Sequence, residues 1–231
     1  MQQNVLKCSN RVGGRLECPL CKNLCVKHGK TTAGKQRYQC KICKKTFIEN
    51  YSSRAYLVPS GSITALLKES CGIRSIARLL KISCSTVIKR VLAAKKMIVK
   101  PTIFFNKEYE IDEMRTYYRN KNRLLWIVYA LERNTKTVID FAVGSRTLKT
   151  LKKVTDTVLL SVASRVYTDK LNLYSTLLPS SIHCTKVYSI NHIERKNLTL
   201  RTHLKRLNRR TICFSKSIAM LEACLQIYFW G

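Results

Sequence analysis

Residues 189–210, SINHIERKNLTLRTHLKRLNRR, combine an apolar helical stripe with a dense set of basic side chains. The apolar residues recur at steps of three, four and seven, which predicts one amphipathic helix over the segment. They are Ile190, Ile193, Leu200, Leu204 and Leu207. Glu194 is the single carboxylate of the segment. An acid kept among so many cations indicates a specific role, and metal binding is a role that a carboxylate fills and a base does not.

Two further acids, Asp112 and Asp169, lie in or directly after β-rich apolar runs. The pattern predicts strands at 108–114, 124–131 and 137–144, a helix at 147–164, a short strand at 166–169, another possible strand at 184–188 and a last helix at 217–230. This order is typical of a ribonuclease-H-like α/β domain, which we assign to residues 101–231. In that fold the acids lie mid-strand, at the end of the short strand and on a later helix. Asp112, Asp169 and Glu194 occupy those positions.

Three carboxylates are the ligands that a hard cation such as Mg²⁺ or Mn²⁺ prefers. Paired ions of this kind support phosphodiester cleavage, because they activate the attacking oxygen and stabilise the leaving one. We predict Asp112 as the bridging ligand, with Asp169 and Glu194 each holding one ion. Asp140 is also on a predicted strand and is the strongest competitor. Glu113 could replace Asp112, although alternation along a strand predicts that it faces the other side.

Paired cysteines near the N-terminus predict a zinc ribbon over residues 16–50. Two C-x2-C pairs stand 18 residues apart, from Lys22 to Gln39, and are the four thiolates of a closed structural zinc site: Cys18, Cys21, Cys40 and Cys43. Cys25 could compete with Cys21, but it breaks the paired spacing. So short a segment buries little core, so the metal would supply most of its folding free energy.

Residues 51–100 have the pattern of a helix-turn-helix. A first helix is predicted to end at Cys71–Gly72, with the glycine in the left-handed conformation, and Ser83 or Ser85 is predicted to cap the third helix. The start of that last helix would face the DNA major groove, through Ser85, Thr86, Lys89 and Arg90. An ordinary three-helix packing unit is the alternative.

The composition predicts a polyanionic partner. The chain has 43 Lys and Arg against 13 Asp and Glu, a formal net charge of +30. Nucleic acid relieves such self-repulsion, and we expect double-stranded DNA, although charge alone does not exclude RNA or an anionic membrane. Residues 1–15 form a predicted tail without the apolar region of a secretory signal, and no stretch has the length of a membrane span. The 11 cysteines are odd in number, so we expect a reducing, cytoplasmic and nucleoid-associated location without membrane contact.

The chain resembles the transposases of the insertion sequence one family, with InsA-like and InsB-like regions in one chain. The InsA-like match runs through residues 18–21, 29–40 and 72–92, and the InsB-like match through 110–113, 167–169, 193–204 and 210–217. The resemblance implies a DDE transposase that binds terminal inverted repeats, cleaves DNA at element ends and transfers the free 3′-hydroxyl to target DNA. We also expect a homo-oligomer on DNA. Asn197 and Arg201 share the helical face of Glu194 and are predicted to contact the DNA backbone.

Two other functions remain open from the sequence. One is a non-catalytic DNA-binding regulator that keeps the zinc ribbon and helix-turn-helix. The other is strand exchange through a tyrosine nucleophile, with His203, Arg206 and Tyr228 as the reacting set and no need for a metal.

Overall fold

The computed structural model describes residues 11–12, 15–49, 58–186 and 189–231. They form two compact units that divide after Pro59. Most of the predicted tail, residues 1–15, and the start of the predicted helix-turn-helix region lie outside the described residues. Within the described ranges, none of the helices is both long and apolar enough to cross a membrane.

The first unit is built from short antiparallel strands. Strands β1 (Arg11–Val12) and β2 (Arg15–Leu16) pair with each other. Strands β3 (Cys25–Lys30), β4 (Gln36–Cys40) and β5 (Thr46–Ile48) form a sheet in that order. The buried core of this unit contains three cysteines and one aromatic ring: Cys18, Cys25, Cys40 and Phe47. A core of this size stabilises little by itself.

Three helices open the second unit: α1 (Ser60–Lys68), α2 (Ile73–Leu80) and α3 (Cys84–Met97). Ser83 caps α3 as predicted, because its hydroxyl accepts the Thr86 N–H at 3.1 Å. The prediction for the end of α1 was wrong. Ser70 takes the left-handed conformation, with φ 64°, whereas Gly72 has φ −72° and stands before α2. The first helix ends at Lys68, earlier than predicted, so the left-handed residue that follows it is Ser70 rather than Gly72.

The last helix, α7 (Ile218–Trp230), packs against α1 and α3. Glu222 forms an ion pair with Lys95 at 2.9 Å, and the Gln226 amide donates to the carbonyls of Lys95 and Ile98, each at 3.2 Å. These contacts join the three N-terminal helices to the C-terminal end of the chain. The division predicted after residue 100 therefore separates two segments of one compact unit.

A five-stranded mixed sheet forms the centre of this unit. Its strands are β6 (Glu108–Tyr117), β7 (Leu124–Glu132), β8 (Val138–Gly144), β9 (Arg165–Tyr167) and β10 (His183–Cys184). Their order is β10-β9-β6-β7-β8; β6, β7 and β8 are antiparallel neighbours, and β9 runs parallel to both β6 and β10. The predicted mixed α and β architecture is confirmed. The predicted strand at 184–188 is shorter, and its residues 187–188 lie outside the described residues.

Helices cover both faces of the sheet. Helix α4 (Leu148–Leu160) packs on the face of Ile111 and Val128, where alternating apolar side chains form the main core. Helix α5 (Asn172–Leu177), which the sequence pattern did not predict, follows β9 and contacts α4. Helix α6 (Asn191–His203) lies on the opposite face and carries Glu194.

Helix α6 is shorter than predicted. It ends at His203, Leu204 is extended, and a 3₁₀ turn follows at Lys205–Leu207. The hydroxyl of Ser70 donates to the carbonyls of Thr202 and His203, at 3.1 and 2.6 Å. These carbonyls belong to the last turn, whose oxygens lack partners within the helix. Ser70, in the loop between α1 and α2, therefore provides a hydrogen-bond donor for the last turn of α6.

Candidate functional site

Three carboxylates meet at the open edge of β6. Asp112, Glu113 and Asp169 each offer an oxygen atom, and these atoms lie within 4.8 Å of one another. The reason lies in the register of the sheet. Strand β9 ends at Tyr167, opposite Glu110, so β6 continues past its neighbour with an unpaired edge. Asp169 follows the end of β9 and reaches the part of β6 that carries the other two acids.

Asp112 is largely buried and accepts two hydrogen bonds. The backbone N–H of Glu113 donates to Oδ1 at 2.8 Å, and the side-chain amide of Asn197 donates to Oδ2 at 2.6 Å. Burial is the main cause that raises the pKa of Asp112 to about 6, and the charges of Glu113 and Asp169 act in the same direction. A cation bound here would favour the ionised carboxylate.

Glu113 is paired with a cation from the loop before α4. Its Oε2 accepts a hydrogen bond from Arg146 at 3.1 Å, and the same guanidinium lies 3.8 Å from Asp169 Oδ2. Arg146 also lies over the Trp126 ring, 4.7 Å from its centroid. The alternation argument placed Glu113 on the α4 face correctly, since Val128 is its partner in the register. That position does not keep its carboxylate out of the cluster, because the strand edge is open.

The cluster fits a hard divalent cation by its donor set. All its ligand atoms are carboxylate oxygens. Burial raises the pKa of Glu113, whereas a hydrogen bond from Tyr174 and the guanidinium of Arg146 lower it. The largely buried carboxylate of Asp112 beside that of Asp169 is the local environment that Mg²⁺ or Mn²⁺ would stabilise.

A fourth acid, Glu110, positions the helix above the site. It is fully buried, accepts the backbone N–H of Ile193 at 2.8 Å and lies 3.5 Å from Arg133. Ile193 stands in the first turn of α6, where N–H groups lack partners within the helix and a carboxylate is favourable. Tyr129, the register partner of Asp112, also donates to the Ile193 carbonyl at 3.2 Å. The start of α6 is thus fixed to β6 and β7.

Glu194 lies at the mouth of the site rather than inside the tight cluster. It is exposed and lines a cavity of about 820 Å³ together with Asp112 and Glu113. Among the described residues, the acids whose ligand atoms all lie within 4.8 Å of one another are Asp112, Glu113 and Asp169. Glu194 is not part of that group. The structure therefore brings two of the three predicted catalytic acids together and places the third across the same cavity.

The two residues predicted on the face of Glu194 occupy different environments. The Asn197 amide is committed to Asp112 and to the Tyr129 hydroxyl, which donates to its oxygen at 2.9 Å. Arg201 lines the cavity, where burial lowers its pKa. Asn197 thus binds Asp112 directly. The sequence predicted a contact with the DNA backbone for this residue and did not predict the contact with Asp112.

The competitor Asp140 lies outside the cluster. It is buried on β8, forms an ion pair with Lys100 at 2.6 Å and accepts the Thr157 hydroxyl at 2.6 Å. With both oxygens engaged, Asp140 connects the segment before the sheet to α4. Sequence reasoning had no signal to separate it from Asp112, since both are strand-borne acids.

The other predicted functional residues lie on helices. On α3, Ser85 and Lys89 are exposed, Arg90 is half-buried, and the Thr86 hydroxyl hydrogen-bonds Ser83 at 2.8 Å. Of the three residues predicted for a tyrosine-nucleophile reaction, two are hydrogen-bonded to each other and the third has a different partner. His203 Nδ1 lies 2.7 Å from the Tyr228 hydroxyl, but Arg206 donates to Ser215 at 2.9 Å instead.

In the first unit, the four cysteines predicted as zinc ligands lie together. The sulphur atoms of Cys18 and Cys43 are 3.5 Å apart, those of Cys21 and Cys40 are 3.4 Å apart, and all four lie within 4.8 Å of one another. Tetrahedral zinc with Zn–S bonds of ~2.3 Å separates its sulphurs by about 3.8 Å. Cys25 is buried beside the group but is not a member of it, as predicted.

Both cysteine pairs have the same local geometry. In each, the first cysteine N–H donates to the carbonyl five residues ahead, at 2.8 Å for Cys18 and 3.0 Å for Cys40. The residue after the second cysteine has positive φ in each, 59° at Lys22 and 57° at Lys44. Hydrogen bonding by Asn23 lowers the pKa of Cys21 to about 6, whereas burial and the hydrogen bonds of the other three cysteines raise the pKa of Cys43. Two matching knuckles that face each other are suited to one zinc ion.

The chain is similar in sequence to known proteins over its C-terminal half. The family described as IS1 transposase matches residues 108–229, from the first strand of the mixed sheet through α7. InsB of insertion element IS1 from Shigella flexneri is 37% identical over 121 residues, which cover 52% of this chain and 91% of that protein. InsB of IS1 2 from Escherichia coli K12 is 40% identical over 121 residues, 52% of this chain and 71% of that protein.

One solved structure is similar at a low level. It is the simian T-cell lymphotropic virus intasome in complex with PP2A regulatory subunit B56 gamma, with TM-score 0.37 and 19% identity over 74% of this chain and 67% of that chain. That similarity is too low to support an argument about fold or function.

The fold and site define a strongly basic α+β protein with a carboxylate cluster at the edge of a mixed sheet. Its family follows from the match across more than half of the chain. The chain belongs to the IS1 transposase family.

Proposed function

We propose that this protein is a DNA transposase that cleaves DNA at the ends of an insertion sequence and transfers the 3′-hydroxyl to target DNA. The observation that carries the proposal is the convergence of Asp112 and Asp169 at the edge of β6, beneath a helix that carries Glu194. The mixed sheet would then be a ribonuclease-H-like core. Its strand order supports that assignment: β6, β7 and β8 are antiparallel neighbours, and the two parallel strands β9 and β10 both lie on the other side of β6.

In this proposal Asp112, Asp169 and Glu194 hold Mg²⁺ or Mn²⁺ in the active complex. The bound ions would activate the attacking oxygen and stabilise the leaving oxygen of the phosphodiester. The protein's own part is positioning. Asn197 orients Asp112, and Glu110 fixes the first turn of α6, so that Glu194 faces the cavity. Arg146 neutralises Glu113 and keeps the local negative charge low.

The remaining parts would find the DNA. A zinc ion on Cys18, Cys21, Cys40 and Cys43 would stabilise the first unit. Helices α2 and α3 would act as a helix-turn-helix that recognises terminal inverted repeats through the exposed start of α3. The net charge of +30 supports phosphate binding. A homo-oligomer on DNA, in the cytoplasm, completes the proposal.

Strand cleavage on a DNA substrate carrying both element ends tests this function. Wild-type protein with Mg²⁺ or Mn²⁺ is expected to nick at the ends, and Asp112→Asn to reduce the rate at least ~100-fold, since a ligand of the reacting ions is lost. Equal metal-independent cleavage by both proteins would contradict the proposal. End binding by wild-type protein with no cleavage under any metal would indicate the regulator instead.

A further inference from the structure

A second cavity, of about 350 Å³, adjoins the carboxylate cavity. Three residues line both of them: Arg201, Asn208 and Arg209. Its volume falls in the range of about 300–1,000 Å³ that is typical of small-ligand pockets. Four arginines and two aromatic residues are the main lining of this cavity, which we call the arginine pocket: Arg115, Arg201, Arg206, Arg209, Tyr117 and Trp126.

In the described structure, the arginines of this pocket have no carboxylate partner of their own. Among the residues that the structure describes, none of its four guanidinium groups forms an ion pair with a carboxylate. Burial lowers the pKa of Arg201, and the charges of Arg209 and Arg115 lower it further, while the charge of Asp112 in the adjoining cavity acts in the opposite direction. A phosphate group would relieve this crowding, since a guanidinium matches phosphate oxygens with two parallel hydrogen bonds.

The aromatic side chains distinguish this pocket from a simple phosphate track. Tyr117 and Trp126 are half-buried. Arg115 of the pocket lies 5.8 Å from the Tyr117 centroid. The Trp126 ring is covered at 4.7 Å by Arg146, which does not line the pocket, so Tyr117 is the ring that a base would stack on. The backbone of paired duplex DNA needs cations alone. An unstacked base, in contrast, stacks on aromatic rings and guanidinium planes. The combination therefore favours a whole nucleotide over an isolated phosphate.

We propose that the arginine pocket receives one unstacked nucleotide of the DNA strand that is cut. The inference rests on the proposed function, because the carboxylate cavity is taken to hold the scissile phosphate. Arg201 and Arg209 border both cavities, so a strand crossing from one to the other passes these two guanidinium groups. The phosphate between the scissile position and the unstacked nucleotide would lie against them. The nucleotide in this pocket would therefore be unpaired, although the DNA on either side of it is duplex.

Binding of the full chain to two DNA duplexes of equal length tests this. They differ only in the base opposite one thymidine, which is paired in the first duplex and mismatched, and so unpaired, in the second. Fluorescence anisotropy should show about 30-fold tighter binding of the second, the mid-range value of one base–aromatic stack. Tyr117→Leu and Arg209→Gln are each expected to remove that preference, whereas Tyr117→Phe keeps the ring and the preference. Lys149→Gln removes an exposed cation on α4 and should weaken both complexes equally.

Equal affinity of wild-type protein for the two duplexes would overturn the inference, as would an unchanged preference in Tyr117→Leu. Metal-dependent strand cleavage is measured on the same preparations. Cleavage without any preference for unpaired DNA would refute the nucleotide pocket and leave the transposase proposal intact. A clear preference without cleavage would refute the transposase proposal and leave the pocket.

Discussion

Asn197 donates a 2.6 Å hydrogen bond from its side-chain amide to Asp112 Oδ2, and so connects α6 directly to β6. The oxygen of the same amide accepts the Tyr129 hydroxyl at 2.9 Å. An amide oriented in this way presents its N–H to the acid and stabilises the ionised carboxylate. Helix and strand are therefore coupled through the acid that is the central ligand of the proposed metal site.

The first prediction concerns the cost of burying Asp112 without a metal. Its folded-state pKa is about 6, above an ordinary value of 3.8. Ionisation therefore destabilises the fold: the cost is absent well below pH 3.8, develops up to pH 6 and is complete above it. This difference in pKa corresponds to a destabilisation of roughly 3 kcal/mol, which Asp112→Asn would remove. The substitution also disturbs a hydrogen bond, which costs about 1 kcal/mol. Asp112→Asn should raise the free energy of unfolding by about 2 kcal/mol at pH 8 and by less at pH 5.

Urea unfolding in magnesium-free buffer, with zinc retained, measures this difference. Asp140→Asn is the control of opposite sign, because it weakens the ion pair with Lys100 and should lower stability at pH 8. A stabilisation by Asp112→Asn that does not decline between pH 8 and pH 5 would show that ionisation is not its cause.

The second prediction concerns Glu110. Glu110→Ala leaves the Ile193 N–H and Arg133 without their buried partner, so we expect a loss of roughly 3 kcal/mol in the free energy of unfolding. Glu110→Gln keeps an acceptor and should cost less. Glu194→Ala, on the exposed face of the same helix, should change stability by less than ~0.5 kcal/mol. Chemical denaturation gives all three values, and equal losses in Glu110→Ala and Glu194→Ala would refute the positioning role.

The third prediction separates Glu194 from Glu113 as the third metal ligand. Glu113 is neutralised by Arg146, whereas Glu194 faces the cavity unpaired in the described structure. Glu194→Gln should therefore reduce metal-dependent cleavage at least ~100-fold, and Glu113→Gln less than ~10-fold. Cleavage rates over a Mn²⁺ titration provide the comparison. The reverse order of the two effects would assign the ligand to Glu113.

Much of the second unit was predictable because its signals are local. Alternating apolar residues locate β6, β7 and β8, and a 3.6-residue period locates α4 and α6. The paired cysteine spacing likewise predicts a cluster without any knowledge of the fold. In these cases the physical cause of the structure lies within a few residues of the pattern.

What could not be predicted depends on contacts between distant segments. Glu113 joins the cluster because β9 ends at Tyr167, and the length of one strand is not visible in the sequence of another. The end of α6 is met by Ser70, which is more than one hundred residues away in the chain. Glu110 reads as one more strand acid until the start of α6 is placed over it.

The fourth prediction concerns zinc. Purified protein should contain one zinc ion per chain, and Cys40→Ser should lose it, because three thiolates leave the tetrahedral site incomplete. Cys25→Ala is the matched control: this cysteine is buried beside the cluster without belonging to it, so zinc should be retained. Atomic absorption on desalted protein gives the stoichiometry. Retention of zinc by Cys40→Ser together with its loss from Cys25→Ala would mean that the ligand set is misassigned.

The fifth prediction concerns Lys89, an exposed cation near the start of α3. If α3 enters the major groove, Lys89→Gln should weaken binding to element-end DNA by about 1–3 kcal/mol and reduce the preference over unrelated DNA. Lys149→Gln, an equal charge change on α4, should weaken both complexes alike and leave the preference intact. Competition binding at fixed salt concentration measures both ratios, since affinity for DNA depends steeply on salt. A uniform loss in both variants would make Lys89 a general phosphate contact, and recognition of the ends would then have to lie elsewhere in the chain.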